Sequence, residues 1–277
     1  MKKIIVPIDF SLYAENALKT AAYLAKKIEA EILVVHMLEL SNAIVSQSEA
    51  YTQEETLFYF KLAEKKFSRF LEKEYLKGIK ITPVIKHFKI FSELERLARE
   101  EKADLIIMGS KGTSGVKELF IGSNTERVIR YANIPVLVVK DEPMETDFKT
   151  ALFACDFSDD DIKPYQEAKA FFGMLGCAMK LVYVTTPNSR FKSTKEIMSK
   201  VVKFMNKVHE KIDFMDGIKI VADYSVEEGV LNYANSIQAD VVAIATHGRK
   251  GIAHFFEGSI SEDVANHSSL PVMTFKV

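Results

Sequence analysis

Cysteine is scarce in this chain: Cys155 and Cys177 are the only two among 277 residues. They stand too far apart for a paired zinc motif, and a cytosolic chain would keep them reduced. A surplus of one charge is also lacking. The 37 Lys and Arg side chains face 38 Asp and Glu, so the formal net charge is −1. No basic excess recommends nucleic acid or an anionic membrane as a partner. No apolar run approaches the roughly 20 residues of a membrane span. The start, MKKIIVPIDFS, reaches Asp9 before it builds an apolar segment of signal-peptide length. These exclusions leave a cytoplasmic globular protein. With 48% apolar and 27% charged residues it can bury real cores, and its length suits one large or two ordinary domains.

Catalytic signatures are missing too. The histidines are His36, His87, His209, His247, His254 and His267, and none falls in an H-E-x-x-H or a His/Cys cluster. There is no serine-nucleophile elbow. His36, at a strand end, reads as a packed or hydrogen-bonded residue. His247, His254, Lys111, Lys117 and Glu118 read as solvated loop and helix surface.

What the chain does have is a repeat. KADLIIMGSKG (102–112) matches QADVVAIATHG (238–248), GSNTERV (122–128) matches GSISEDV (258–264), and NIPVLVVK (133–140) matches SLPVMTFK (269–276). VPIDFS (6–11) matches FACDFS (153–158). Two homologous-looking domains follow, 1–142 and 147–277, joined through an acidic stretch that contains Pro143.

Each copy alternates strand and helix. In the first, Lys3–Ile8, Ile32–His36, Ile79–Lys86, Leu105–Met108 and Pro135–Val139 read as strands. Ser11 is the expected N-cap of a helix running to about Lys27; a second helix begins at a cap on Ser92, and a third covers Ser123–Ala132. A long helix places Phe60, Ala63, Phe67, Phe70 and Leu71 on one face. Its counterpart carries Ile197, Val201, Phe204, Val208, Ile212 and Met215 at three- and four-residue spacing. Both stripes read as core packing. Short turns between strands and helices imply parallel strands with right-handed crossovers, hence two doubly wound, Rossmann-like α/β domains.

In such a sheet, ligands bind beyond the carboxyl ends of the strands, where strand order reverses. The unusual residues lie there. Pro7-Ile8-Asp9 ends the first strand, and MGSKGTSGVKELFIGSNTE (108–126) follows the fourth. Glycine permits positive φ and close approach of a ligand. The helix beginning at Gly122-Ser123 offers unpaired N–H groups to an anion. The segment is neither a P-loop nor a G-x-G-x-x-G fingerprint. The residues alone leave a phosphate cradle and a turn-rich loop both open.

The spacing Gly109-x2-Gly112-x9-Gly122-Ser123, with KIIVPIDFS at the start, resembles the nucleotide-binding signature of the universal stress protein family. The resemblance covers essentially the whole chain, as a tandem two-domain member. It implies a five-stranded, mainly parallel sheet in each domain, the two packed as a pseudo-dimer, with further homo-oligomerisation left open. It also implies ATP or a related adenine nucleotide as ligand, with magnesium or manganese as the metal that would accompany it. By that resemblance Asp9 contacts adenine beside Pro7, Ile8 and Met37. Met108 and Gly109 pass under the ribose, and Gly112, Gly122, Ser123, Asn124 and Thr125 wrap the phosphates. The second copy keeps Asp156, Gly248, Gly258, Ser259 and Ser261 as the corresponding candidates, but has Ala245 and Ala154 where the first has Gly109 and Pro7. A nucleotide-dependent sensor or regulator of the stress response, loaded mainly in the N-terminal domain, is the expectation. A slow ATP hydrolase or phosphotransferase, and a nucleotide-free scaffold, are the alternatives. No residue stands out as a general base aimed at a γ-phosphate, and weak hydrolysis needs only water and an ordered phosphate site.

Overall fold

The computed structural model describes residues 1–38, 49–87, 90–112, 121–144, 147–187, 191–210, 217–246 and 260–277. The chain divides into two compact units, Met1–Glu118 with Gly122–Glu145, and Leu119–Ile121 with Thr146–Val277.

In the first unit β1 (Lys3–Ile8), α1 (Leu12–Ile28), β2 (Glu31–Leu38), α2 (Glu49–Leu71), β3 (Ile81–His87), α3 (Ile90–Glu100), β4 (Leu105–Gly109), α4 (Ser123–Tyr131) and β5 (Val136–Val139) follow in order. The strands lie β3-β2-β1-β4-β5. Every pairing among them is parallel: Ile4 meets Ile32 and Leu105, and Met108 meets Val138. Strand order therefore reverses between β1 and β4. The second unit repeats the plan with β6 (Thr150–Ala154), α5 (Ile162–Met174), β7 (Ala178–Thr185), α6 (Thr194–Lys207), β8 (Ile218–Ala222), α7 (Val226–Ser236), β9 (Val241–Thr246), α8 (Ile260–His267) and β10 (Val272–Lys276). Its parallel order is β8-β7-β6-β9-β10. The five-stranded α/β expectation holds in both.

The central strands are buried runs of Ile, Leu and Val, as strands covered on both faces should be: Ile4, Ile5, Val6, Leu105, Ile107, Leu137, Val138, Val241 and Val242 are wholly or almost wholly inaccessible. The repeat extends to small devices. Asp104 Oδ2 accepts from the backbone N–H of Lys2 and Lys3 at 2.7 and 3.0 Å, fixing the start of β1. Asp240 does the same for Lys149 and Thr150 at 2.8 Å each. Lys102 and Gln238, two residues earlier, share a positive φ of 50° and 52°.

Some boundaries differ from the sequence reading. α3 begins at Ile90, so Ser92 lies inside it and is not its cap. α6 ends at Lys207 with Val208 as its C-cap, and Ile212 and Met215 fall outside the described residues. The rest of that stripe, Ile197, Val201 and Phe204, is buried as expected. Ser193 and Glu196 cap the helix reciprocally, a capping box that stops the chain entering it one turn earlier or later.

Candidate functional site

The turn after β1 builds the first site. Asp9 Oδ1 accepts the Ser11 N–H at 3.0 Å, and Ser11 Oγ accepts that of Ala14 at 3.2 Å, which starts α1 at the expected cap. Phe10, between them, has φ of 65°, a left-handed backbone that costs a non-glycine residue about 1 kcal/mol. Packing holds it there. The Phe10 ring lies 4.5 Å from His36 and meets Phe67 and Phe70 edge-on at 5.6 and 5.5 Å. His36 Nδ1 donates to the Ile8 carbonyl at 2.9 Å, leaving Nε2 as an acceptor. Burial holds the imidazole pKa below its usual value, favouring the neutral ring.

Gly109 and Gly112 act through space and not through φ. Gly109, Gly112 and Gly122 all avoid the left-handed region, so of the two freedoms glycine offers, positive φ is not the one used here. A Cβ on Gly109 would sit 2.7 Å from the backbone carbon and oxygen of Tyr13. Gly109 is thus what lets α1 lie against β4. A Cβ on Gly112 would sit 2.8 Å from Asp9 Oδ2, so the Asp9 carboxylate and the glycine loop face each other across the switch point. Gly122 is less demanding, its nearest neighbours being 3.7 Å away in ordinary contact. Its N–H donates to the Ser110 carbonyl at 2.7 Å, and the Ser110 N–H to that of Val139 at 2.9 Å.

Gly122 is the N-cap of α4, with no side-chain cap, and Ser123 is its first helical residue. By helix geometry the N–H groups of Ser123, Asn124 and Thr125 have no partner within the helix, and the dipole makes that end positive. Ser123 is exposed and Asn124 half-buried. Thr125 departs from the expected phosphate contact: it is buried, and its Oγ1 donates to the Gly109 carbonyl at 2.9 Å. That hydroxyl ties α4 to the end of β4, and only the Thr125 N–H remains for an anion. Pro7 is half-buried in β1 opposite Val35, while Ile8, Met37 and Met108 are buried. Two lysines border the loop. Lys111 Nζ lies 4.0 Å from Asp141 Oδ1 and 5.6 Å from the Tyr13 ring centre. Lys140, just past β5, has its pKa lowered to about 8, chiefly by burial, with Lys111 adding to it and Asp141 opposing. His36 is packed and hydrogen-bonded, as its strand-end position implied, whereas Lys140 and the left-handed Phe10 were not singled out by the sequence reading. The DFS triplet, present in both copies, is the signal that pointed to the last.

In the second unit Asp156 Oδ1 accepts the Ser158 N–H at 2.7 Å, and Phe157 has φ of 57° with its ring on Tyr183 and Phe204. Here the likeness stops. A 3-10 turn, Asp159–Asp161, precedes α5, and Ser158 makes no side-chain cap. Asp161 is buried and turns back, accepting from the Asp156 N–H at 2.9 Å and from Cys155 Sγ at 3.5 Å. Burial, reinforced by the Asp156 carboxylate, pushes Asp161 up to about 7. Burial also pushes Asp156 upward, but hydrogen bonds to Asp161 and Ser158 and the Lys200 charge bring it below its ordinary value. Ser261, the counterpart of Thr125, is likewise buried. Gly248, Gly258 and Ser259 lie outside the described residues. Among the described residues, no three His, Cys, Asp or Glu side chains are grouped to hold a metal, and no helix is long and apolar enough to cross a membrane.

The sequence profile of the universal stress protein family matches residues 1–140 and again 147–276. Among curated proteins the chain is similar to Universal stress protein MJ0577 of Methanocaldococcus jannaschii, 34% identical over 154 residues that span 50% of this chain and 94% of that protein. It is also similar to Universal stress protein MJ0531 of the same organism, 30% identical over 139 residues, 50% of this chain and 82% of the relative. Among solved structures, a universal stress protein from Archaeoglobus fulgidus covers 99% of this chain with 96% of its own at a TM-score of 0.65 and 21% identity, a likeness of fold.

Proposed function

Because the chain belongs to the universal stress protein family, whose profile it matches twice, we propose that it binds ATP or a related adenine nucleotide, mainly in the first unit, and acts as a nucleotide-dependent sensor or regulator. The observation that carries this reading is the juxtaposition of Asp9 with Gly112 at the switch point, where a single added Cβ would touch the carboxylate. Asp9 offers an acceptor for the amino group of adenine or for a ribose hydroxyl. The uncapped start of α4 receives the phosphates, with Lys111 and the half-buried Lys140 supplying positive charge beside them. Magnesium or manganese would enter with the nucleotide, on its phosphate oxygens.

Asp9→Ala should weaken ATP binding by about tenfold or more, the scale of one hydrogen bond to a charged group. Calorimetric titration of the full chain measures it, and equal affinity in variant and parent rejects the reading. Phosphate release followed in the same samples separates a binding protein from a slow hydrolase.

A further inference from the structure

The long helices of the two units can be aligned through one contact that both make. Phe67 of α2 meets Phe10 edge-on at 5.6 Å, and Phe204 of α6 meets Phe157 edge-on at 5.4 Å. Phe10 and Phe157 hold the same place in the repeated DFS turn, so Phe67 and Phe204 correspond. One helical turn earlier the first unit has Ala63, buried, and the second has Lys200. One turn later the first has Phe70 and the second Lys207.

Both lysines reach the turn after β6. Lys200 Nζ lies 3.3 Å from Asp156 Oδ2, and Lys207 Nζ lies 2.5 Å from Asp159 Oδ1. Asp156 Oδ1 already accepts the Ser158 N–H. Asp161, which stands where the first unit has Ala14, holds the Asp156 N–H at 2.9 Å. Both carboxylate oxygens of Asp156 are therefore engaged by the unit's own groups, one of them cationic. A carboxylate has about four acceptor positions. Here Oδ1 accepts from Ser158 and Oδ2 faces Lys200. A neutral amino group on a purine is a weaker donor than an ammonium and must displace it.

We propose that Lys200 is the specificity-determining residue that closes the second unit's copy of the site to adenine nucleotides, by engaging Asp156 from α6. This rests on the nucleotide reading of the first unit, and it locates the asymmetry in a long helix, outside the glycine loop. The corresponding position in the first unit, Ala63, carries no charge.

The test uses the full-length protein, the photoreactive probe 8-azido-ATP and peptide mapping, so that label is assigned to residues 1–142 or 147–277. In the parent, label should fall on the first unit. Lys200→Met should raise label in the second unit by up to about fivefold, the scale of one partly exposed ion pair. Lys200→Arg keeps the charge and should not. The reciprocal Ala63→Lys should reduce label in the first unit. Second-unit label equal in the parent, Lys200→Met and Lys200→Arg overturns the proposal, as does parent label already equal in both units. First-unit label in the parent reports separately on the nucleotide reading, so the two failures are distinguishable.

Discussion

Asp-Phe-Ser closes the first strand of both units, and the two turns then part. In the first, Ser11 caps α1 at once and the helix presses its Tyr13 backbone onto Gly109. In the second, three acids make a 3-10 turn before α5 begins at Ile162, and the strand partner is Ala245. The glycine at 109 and the alanine at 245 thus report how closely a helix approaches a strand. Read from the sequence, the difference looked like a ligand contact. The geometry gives Gly109 a packing role, and the units differ as well at the strand-one aspartate, where Asp156 pairs with Lys200.

The largest expected effect breaks that packing. Gly109→Ala forces its Cβ into the Tyr13 backbone, which cannot rotate away as a side chain would. It should destabilise the first unit by about 3 kcal/mol, the upper range for overpacking. Ala245→Gly should cost no more than about 1 kcal/mol, through backbone entropy alone. Urea melts of both variants decide it, and equal losses would mean that the two strand ends are packed alike.

A smaller effect concerns Asp161, which has only Ala14 as its counterpart. Its folded pKa, about 7, lies above the ordinary carboxylate value. The folded state therefore keeps a proton that the unfolded chain gives up near pH 4, and the stability this contributes is lost as pH rises towards 7. Between pH 5 and 8 the loss should be about 2 kcal/mol. Asp161→Asn keeps an acceptor for the Asp156 N–H and removes the titration. Its denaturation midpoint should be flat across that range where the parent's falls, and parallel curves would refute the assignment.

The smallest effect separates the two serines. Ser11→Ala removes a cap and should cost about 1 kcal/mol. Ser158→Ala removes a hydroxyl that caps nothing and should be near neutral. Thermal melts of the pair measure the difference, and it vanishes if α1 does not depend on its cap.

Much of the fold was legible because its signals are local. The buried runs, the serine cap at Ser11 and the repeat itself survive in the residue order, and they led to ten parallel strands in two series. The glycine loop was legible as a place but not as a mechanism. Gly109 looked permissive and proved to be a point of contact; Thr125 looked like a phosphate donor and proved to hold the Gly109 carbonyl. In each case the partner lies far along the chain, Tyr13 for one and a strand end for the other.

By itself the sequence determined the period, the strand and helix types, the doubly wound order and the residues that gather at the switch point. Hydrophobic periodicity and turn chemistry act over a few residues, so they can be read without coordinates. The tertiary structure alone decided that Asp9 faces Gly112 and that Asp156 pairs with Lys200. Ala63 and Lys200 carry no local mark of that role, because it depends on a helix returning, about 40 to 50 residues later, to lie over the turn that follows the first strand. The distance between charges is set by packing, and packing is a property of the folded chain.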